Sequence, residues 1–592
     1  MAAIASSPDH LPPFVVTDIS SISLALLVLG GYVCLVGQLS YFVKERLFIS
    51  SALISISLGI AAGPIGLNWI SPWIWTDYSD EARNELTFQL CRIVIGIQVM
   101  FAGISLPAAY LKREWKSILV LLLPIMTIAW FVSAGLILAF IPGLTFVEAL
   151  CISACVTPTD PILANAIVKG RYAEKHVPHA VRNIISAESG ANDGLGYPFI
   201  FLPIFLMKRG DGSISAVMRE WVVTTWIYQI ILACVMGALI GYVARKTLKI
   251  AHKHNLIDHE SFLSYGIGLA FFTLGVVGII GSDDVLCCFV AGNSLTWRDF
   301  YRIESEDDTF QDVIDSLLNA AIFIYLGALL PWSEFGTGPL TGWRLFLLGL
   351  CILAIRRLPW IMLLYPITPA LANPMEALFA GWFGPIGVSA VYYAILALKE
   401  LPEDRVLLRQ VILPVVLFIA LTSTVAHPTT IQGVTIPLTK FAPKALTHTR
   451  SFASYTSNNA GALAQRMRNT SVRPSDISSP LRARLARQKA GTDTADATPT
   501  LSRASSFNAR PGDEAASHSR EESTNSTTSM EMEPESFTDR MNRIEEGQQQ
   551  RSKTSTPPTA VLTGVEEGRP AAEDSILVVD GRAPTGKVQF SP

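Results

Sequence analysis

The chain has 592 residues, of which 50% are hydrophobic and only 16% are charged. This composition excludes a soluble globular protein of this size and predicts a polytopic membrane protein. The formal net charge of -3, with no basic stripe interleaved with aromatic residues ahead of the C-terminal region, argues against a nucleic-acid partner.

A hydropathy window of about 19 residues predicts about thirteen transmembrane helices, most of them near the length of about 20 residues that crosses a bilayer. We place them at residues 19–39, 47–67, 86–110, 117–140, 145–168, 183–206, 220–243, 261–280, 283–297, 312–331, 342–365, 374–398 and 405–425. The first segment lacks the features of a signal peptide, so we interpret it as a span. The expected fold class is an all-α polytopic membrane protein.

The distribution of basic residues predicts the orientation of the chain. If the N-terminus is extracellular, the inner loops carry about twice as many Lys and Arg residues as the outer loops, as the positive-inside rule requires. An odd number of spans then places the C-terminal tail in the cytoplasm.

The composition changes abruptly near Leu446 to Ser, Thr, Arg, Gln, Glu and Pro. We therefore expect a short N-terminal segment at residues 1–18, a transmembrane domain at 19–440 and a disordered cytoplasmic tail at 441–592. Within the tail, the sequence PLRARLARQKA is consistent either with a short basic helix that contacts membrane lipids or with a solvated basic run.

The eight cysteines all lie inside apolar runs, and none has a histidine at metal-ligand spacing. We therefore expect neither a disulfide framework nor a zinc site, and no cofactor is predicted. Asp160 and Asp193 lie in adjacent predicted spans, as the acids of an intramembrane aspartyl protease do, but neither GANDG nor GSDDV matches the GxGD motif of those enzymes. We expect the protein not to be an enzyme.

Two apolar runs contain helix-breaking residues. In CVTPTDPILANA, Pro158 and Pro161 flank Thr159 and Asp160, which predicts a broken helix whose free carbonyls line a cavity. GWFGPIGVSA, residues 381–390, is a second interrupted run. If the first six and last six spans are two repeats, both interruptions fall in the fifth span of a repeat, which is typical of inverted-repeat transporters. The alternatives are a proline kink with a capping aspartate and two unrelated flexible helices.

The sequence SAESGAND places Glu188, Ser189, Asn192 and Asp193 in the predicted sixth span. On one helix these residues form a single polar patch, because residues four apart share a face. Carboxylate, hydroxyl and amide oxygens suit a small hard cation, and a desolvated carboxylate also binds a proton readily. A proton and an alkali cation can therefore compete for one carboxylate, which is the basis of antiport.

Two arginines in the eleventh span, Arg356 and Arg357, leave two interpretations of this patch open. In one, an arginine pairs with Glu188 while Asp193 stays free to bind a cation. In the other, both acids are held permanently in a buried ionic lock.

A further acidic pair, Asp283 and Asp284 in GSDDV, lies where the ninth span begins. Acidic residues are favoured at helix N-termini, so helix capping is one interpretation. The other is an acidic funnel that attracts cations. Arg92, in the third span, is interpreted as a helix-end or bundle-pairing charge and not as a ligand.

Five ordered motifs, TPTDPILA, SAESGANDG, GSDDVL, AIRRLP and GWFGPIGVSA, resemble those of the fungal plasma-membrane alkali-cation/proton antiporters of the monovalent cation/proton antiporter superfamily. The resemblance covers residues 19–440. It implies the sodium/proton-antiporter fold, with inverted repeats and two crossing discontinuous helices. It also implies a homodimer in which a core domain moves against a dimerisation domain.

The resemblance implies a role for each motif residue. Asp193 would bind the cation and the proton in turn, and Asn192 would orient the site. Thr159, through its backbone carbonyl, and Ser189 would join Asp193 in holding the alkali cation, while Asp160 lies at the helix crossing. The residues that would complete, brace or support this site are Glu188, Ser189, Arg356, Arg357, Asp283 and Asp284.

The predicted function is export of Na+ in exchange for H+ at the plasma membrane, with K+ and Li+ as further substrates. This activity would contribute to salt tolerance and to pH and cation homeostasis. The alternative is a cation channel or a non-transporting membrane sensor built on the same pocket.

Overall fold

The computed structural model describes residues 20–45, 50–168, 177–210, 212–305 and 309–441. Within these ranges all regular secondary structure is helical, which confirms the all-α fold class. The predicted N-terminal segment at 1–18 lies outside them, as do residues 442–592 of the predicted tail with its basic run.

The described residues form α-helices joined by short turns, two π-helical stretches and one 3-10 turn. The first helices are α1 (Ser21–Glu45), α2 (Ser51–Ala62), α3 (Pro72–Trp75), α4 (Asp80–Ser105), α5 (Tyr110–Arg113), α6 (Trp115–Val120) and, after the π-helical Leu121–Ile125, α7 (Met126–Phe140). Next come α8 (Phe146–Val156), α9 (Pro161–Val168), α10 (His179–Asn192), α11 (Tyr197–Lys208), α12 (Ile214–Glu220) and, after the π-helical Trp221–Ile231, α13 (Leu232–Lys253). The last are α14 (His259–Ile280), α15 (Asp284–Leu295), α16 (Phe300–Glu304), α17 (Phe310–Leu329), α18 (Gly342–Ile355), α19 (Leu358–Leu364) with the 3-10 turn Tyr365–Ile367, α20 (Pro374–Trp382), α21 (Val388–Glu400) and α22 (Val406–Phe441).

Nine helical segments in the described part of the chain are long and apolar enough to cross a membrane. They are Ser21–Gln38, Asp80–Ser105, Trp115–Phe140, Phe146–Ala164, Ile214–Lys253, His259–Ile280, Phe310–Leu329, Gly342–Ile367 and Val406–His427. The other predicted spans coincide with helices that are shorter or interrupted, such as α2 and α15. The polytopic membrane architecture is thus confirmed, while the number thirteen stays a prediction.

Local sequence signals set several helix boundaries. The side chain of Thr145 accepts a hydrogen bond from the backbone N–H of Glu148, whose carboxylate accepts one from the N–H of Thr145, so α8 begins with a capping box. Gly281 ends α14 in the left-handed conformation with φ of 80°, which a residue without Cβ adopts at no steric cost.

Two helices are interrupted near their centres and cross at their interruptions. Residues 157–160 separate α8 from α9, and residues 383–387 separate α20 from α21. Pro161 occupies the first position of α9, where its missing N–H breaks no intrahelical bond. The backbone N–H of Asp160 donates to the carbonyl of Pro385 at 2.8 Å, which joins the two interruptions directly. The predicted pair of crossing discontinuous helices is therefore confirmed.

The predicted sixth span differs from expectation because it is not one continuous helix. A turn at residues 193–196 separates α10 from α11. A Cβ added at Gly194 would collide with Leu286 in α15, and one at Gly196 would collide with the ring of Tyr393 in α21. Close approach of α15 and α21 therefore depends on glycine in this turn.

The predicted eleventh span is also divided, at Arg356 and Arg357, which lie between α18 and α19. Pro359, in the first turn of α19, is compatible with a new helix start but not with an unbroken helix interior. Both arginines therefore lie outside the regular helix, and their side chains are buried, with 2% and 6% of their surface exposed.

Candidate functional site

Asp160 lies where the two interrupted helices cross. Its carboxylate accepts a hydrogen bond from the backbone N–H of Ile162 at 2.8 Å, in the first turn of α9. The other carboxylate oxygen accepts one from the backbone N–H of Val388, the first residue of α21. One negative charge therefore stabilises the N-termini of two half-helices, since each terminus carries unpaired N–H donors and a partial positive charge.

Arg356 has the complementary role at the C-terminal ends. One terminal nitrogen donates to the carbonyl of Val156 and lies 3.1 Å from that of Thr157 and 3.4 Å from that of Pro158. The other terminal nitrogen donates to the carbonyl of Gly384 in the second interruption. A guanidinium has five donors in a planar fork, so a single side chain satisfies carbonyls that the two breaks release inside the membrane.

Glycine is required at two positions for the helices to approach. A Cβ at Gly387 would collide with the carboxylate of Asp160, and one at Gly384 would collide with the side chain of Arg357. The glycines of GWFGPIG thus make room for the charged groups at the crossing.

A hydrogen-bonded network connects the first interruption to α10. The side-chain carbonyl of Asn192 accepts from the backbone N–H of Thr159 at 3.3 Å, and its amide donates to the Thr159 hydroxyl at 2.8 Å. That hydroxyl lies 3.1 Å from the hydroxyl of Ser189. The three side chains are all buried, so Asn192 fixes the orientation of Thr159 from two sides.

Asp193 differs from every other acid in this region. It is 1% exposed, and neither carboxylate oxygen has a hydrogen-bond partner of acceptable geometry among the described residues. The hydroxyl of Ser389 lies nearby without forming a well-aligned hydrogen bond. The backbone carbonyl of Asp193 accepts a hydrogen bond from the hydroxyl of Tyr393, and this contact holds the main chain in place. A buried carboxylate without a partner is costly, so Asp193 is suited to bind a positively charged species.

Glu188 is paired. Each of its carboxylate oxygens accepts from a different terminal nitrogen of Arg357, one of them at 2.6 Å, and both side chains are buried. The Nε of Arg357 donates to the carbonyl of Ala380 at 3.1 Å, in the last turn of α20. Arg357, and not Arg356, is therefore the arginine that pairs with a carboxylate, and the Glu188 oxygens are already used.

Asp283 and Asp284 have separate contacts. Asp283 caps α15 by accepting from the backbone N–H of Leu286 at 2.9 Å, and its second oxygen has no partner among the described residues. Asp284 forms an ion pair with Arg92 at 2.5 Å, and Arg92 also donates to the carbonyl of Leu274 at 2.9 Å. Within the part of the chain that the structure describes, neither carboxylate hydrogen-bonds to the network of Thr159, Ser189 and Asn192.

The structure therefore divides the residues singled out from the sequence. It brings Thr159, Asp160, Ser189, Asn192 and Asp193 together at the crossing. Glu188 and Arg357 form a pair beside them, Arg356 binds the broken helix ends, and Asp283 and Asp284 lie in α15 and its cap.

Sequence reasoning did not single out Ser389 and Tyr393. Both lie in α21, one helical turn apart, and face Asp193 and its carbonyl. Ser389 lies within the GWFGPIGVSA motif itself, so a systematic consideration of every polar side chain in that motif could have identified it.

The charges around the crossing can accept one cation. Asp160, Glu188 and Asp193 supply three carboxylates, and Arg356 and Arg357 supply two guanidinium groups. Asp160 and Glu188 already have hydrogen-bond partners, so Asp193 is the carboxylate of this group that is left to bind a cation.

Comparison with known proteins places these features in a family. The model of the transmembrane sodium/hydrogen exchanger family matches residues 32–436. A Schizosaccharomyces pombe protein named "Probable Na(+)/H(+) antiporter" is 39% identical over 435 residues, which cover 70% of this chain and 56% of that protein. The Na(+)/H(+) antiporter of Saccharomyces cerevisiae is 38% identical over 386 residues, covering 65% of this chain and 38% of that protein. The chain thus spans about half or less of the length of these two relatives.

A shorter relative is covered almost completely. The Na(+)/H(+) antiporter of Schizosaccharomyces pombe is 34% identical over 424 residues, which cover 69% of this chain and 89% of that protein. Among solved structures, the sodium proton antiporter MjNhaP1 from Methanocaldococcus jannaschii has the same fold, with a TM-score of 0.54 at 17% identity over 72% of this chain and 100% of that chain.

Proposed function

Because the chain belongs to the transmembrane sodium/hydrogen exchanger family, we propose that it is an antiporter that exports Na+ in exchange for H+. The observation that carries this proposal is the buried carboxylate of Asp193, which has no hydrogen-bond partner of acceptable geometry among the described residues. A proton neutralises the Asp193 carboxylate by forming a covalent O–H bond. A sodium ion neutralises it by binding to the ionised carboxylate, which is then a ligand of the ion. Both cannot be bound at once, so binding of one ion displaces the other.

The neighbouring groups have supporting roles in the proposal. Ser189, Thr159 and Ser389 offer oxygen atoms to the cation, and Asn192 holds Thr159 in position. Two backbone N–H groups, each at a helix N-terminus, stabilise the ionised form of Asp160. Because its oxygens already have these partners, we assign Asp160 the role of holding the two interruptions together and not that of the exchanging group.

A single shared carboxylate favours electroneutral exchange. Asp193 holds either one Na+ or one H+, so the site carries the same charge in both loaded states. Alternating exposure of such a site to the two sides of the membrane moves no net charge when one ion is exchanged for the other. Crossing discontinuous helices are the element around which such alternating access operates in transporters of this architecture.

We further propose K+ and Li+ as alternative substrates, since both are hard monovalent cations with the same oxygen preference. The proposed location is the plasma membrane, with an extracellular N-terminus and a homodimeric assembly in contact with lipid. The physiological roles that follow are salt tolerance and pH and cation homeostasis.

The test is transport in reconstituted vesicles that contain the full chain. We expect Na+-dependent proton movement that Asp193→Asn abolishes, because an amide can neither release a proton nor carry a negative charge. Asp80→Asn is the matched control, since the Asp80 side chain is 80% exposed and forms an ion pair with Arg83, three residues further along the same helix. Unimpaired exchange by the Asp193 variant, or conductive cation flux without proton countertransport, would overturn the proposal.

A further inference from the structure

Residues 383–387 form an extended segment that interrupts the α20–α21 helix. In α22, the Ser423 side chain contacts this segment and the His427 side chain contacts Trp382, the residue just before it. Both are buried, with 0% and 3% of their surface exposed. The backbone N–H of Ile386 donates to the Ser423 hydroxyl oxygen at 2.7 Å. The Nε2 atom of His427 lies 3.1 Å from the carbonyl of Trp382, and its Nδ1 atom lies 3.0 Å from the Ser423 hydroxyl.

The partners of His427 constrain its hydrogen positions. Nδ1 also lies 3.0 Å from the backbone carbonyl of Ser423, so each ring nitrogen has a carbonyl beside it. A neutral ring donates to only one of them. The tautomer with the proton on Nε2 donates to the Trp382 carbonyl and leaves Nδ1 to accept the Ser423 hydroxyl proton. In that tautomer one series of hydrogen bonds runs from the Ile386 N–H through Ser423 and His427 to the Trp382 carbonyl.

This Ser423–His427 pair holds both sides of the extended segment. Trp382 is the last residue of α20, and Ile386 lies two residues before the start of α21. In a third contact, the indole N–H of Trp382 donates to the Thr430 hydroxyl at 2.8 Å. This hydrogen bond also links the C-terminal end of α20 to α22. The Ile386 N–H has Ser423 as its hydrogen-bond acceptor, so removal of that hydroxyl leaves a buried donor unsatisfied.

The segment held in this way carries groups that build the crossing. The Pro385 carbonyl accepts from the backbone of Asp160, and the Gly384 carbonyl accepts from Arg356. The Val388 N–H, directly after the segment, donates to the Asp160 carboxylate. A displacement of the segment would therefore move the charge of Asp160 relative to Asp193.

We propose that Ser423 and His427 are positioning residues that fix the second helix interruption and thereby set the cation affinity of Asp193. The inference rests on the proposed antiport function, because affinity is expressed through exchange at Asp193. Neither side chain touches the cation. Their effect passes through the backbone of residues 382–388 and through Asp160.

The experiment measures Na+-dependent proton movement in vesicles for Ser423→Ala, His427→Ala and the double variant, with KM for Na+ and the maximal rate determined separately. We expect each single variant to raise KM about tenfold, the effect of one lost buried hydrogen bond. The maximal rate should stay within about twofold. The double variant should be no worse than either single variant, because both disrupt one series of hydrogen bonds.

Conservative variants separate two possible causes of a change in KM for Na+. One is the loss of the hydrogen bonds, and the other is the loss of side-chain volume. Ser423→Thr keeps the hydroxyl and should keep the wild-type KM. His427→Gln keeps an N–H that reaches the Trp382 carbonyl and should recover part of the affinity. Thr424→Val is the matched control, since the Thr424 hydroxyl is buried on the same helix and donates only to its own helix, to the Ala420 carbonyl at 2.8 Å. Its KM should be unchanged.

The outcomes separate this inference from the proposed function. Absence of exchange in the wild-type protein would refute the function itself. Normal exchange in the wild type with unchanged KM in both alanine variants, or an equal change in Thr424→Val, would refute only the positioning role. If an alanine variant fails to assemble, hydrogen exchange of the wild-type protein decides instead. The Ile386 amide should then be strongly protected, and rapid exchange would contradict the inference.

Discussion

Arg357 faces Glu188 with both terminal nitrogens of its guanidinium group, and each nitrogen donates to a different carboxylate oxygen. The two side chains are 7% and 3% exposed, so this ion pair is buried. The planar guanidinium group forms two parallel hydrogen bonds to the carboxylate. A lysine ammonium group cannot reproduce this bidentate geometry. The pair joins α10 to the break between α18 and α19.

Removal of one partner of this ion pair should be strongly destabilising. Arg357→Ala leaves the Glu188 carboxylate buried without a counter-charge, and the expected loss is about 3–5 kcal/mol of stability. Thermal unfolding in detergent measures the effect. Arg344→Ala, which removes an arginine that stacks on the exposed Trp343, is the matched control and should melt like the wild type.

The double variant Glu188→Gln with Arg357→Gln sharpens this test, because it removes both charges together. It should melt above the single Arg357→Ala variant, since no uncompensated charge remains buried. Equal melting temperatures for wild type and Arg357→Ala would show that the ion pair has no stabilising role.

Gly387 should tolerate no side chain. Gly387→Ala places a Cβ against the carboxylate of Asp160, so either the interruption or the carboxylate must shift. We expect loss of exchange, measured in the same vesicle assay. Gly135→Ala is the control, because a Cβ at this position in α7 meets no atom within 4 Å and alanine favours the helix by about 0.5–1 kcal/mol. Normal exchange in Gly387→Ala would contradict the close packing at the crossing.

Ser389→Ala should weaken cation binding without unfolding the protein. The hydroxyl lies beside Asp193, where it can serve as a cation ligand, and its loss should raise KM for Na+ by about tenfold, the effect of one polar contact. Ser133→Ala removes a buried hydroxyl in α7 that has no hydrogen-bond partner among the described residues, and it should leave KM unchanged. If the two variants behave alike, Ser389 is not part of the site.

Some of this architecture could be predicted from the sequence because it follows from local chemistry. Prolines at 158 and 161 cannot both continue a helix, and the glycines and proline of GWFGPIG indicate a second break. The structure confirms that these two breaks cross. A charged residue in an apolar run is costly, and this cost was enough to single out Asp193, Glu188 and the arginine pair.

Other features depend on tertiary contacts that spacing does not encode. The choice of Arg357 as the partner of Glu188 depends on the break between α18 and α19, which turns the two adjacent arginines toward different groups. The turn after Asn192 depends on the packing of α15 and α21 against Gly194 and Gly196. Ser423 lies near the end of the last predicted span and His427 lies just beyond it, and only the packing of α22 brings both to the second interruption.

Competition between Na+ and H+ for Asp193 has a defined pH dependence. A lower pH raises the proton concentration and so increases the fraction of molecules in which Asp193 is protonated. More Na+ is then needed to displace the proton. The maximal rate is reached only when Na+ saturates the site, where the proton no longer competes. The sign is therefore fixed: falling pH raises KM for Na+ and leaves the maximal rate unchanged.

The most direct test of the central claim is Na+ uptake into vesicles at a series of pH values, with the membrane potential clamped at zero. We predict that KM for Na+ rises linearly with the proton concentration, that the maximal rate is constant, and that Asp193→Asn abolishes uptake. A KM that does not change with pH, or saturable uptake by Asp193→Asn, would contradict exchange at a single shared carboxylate.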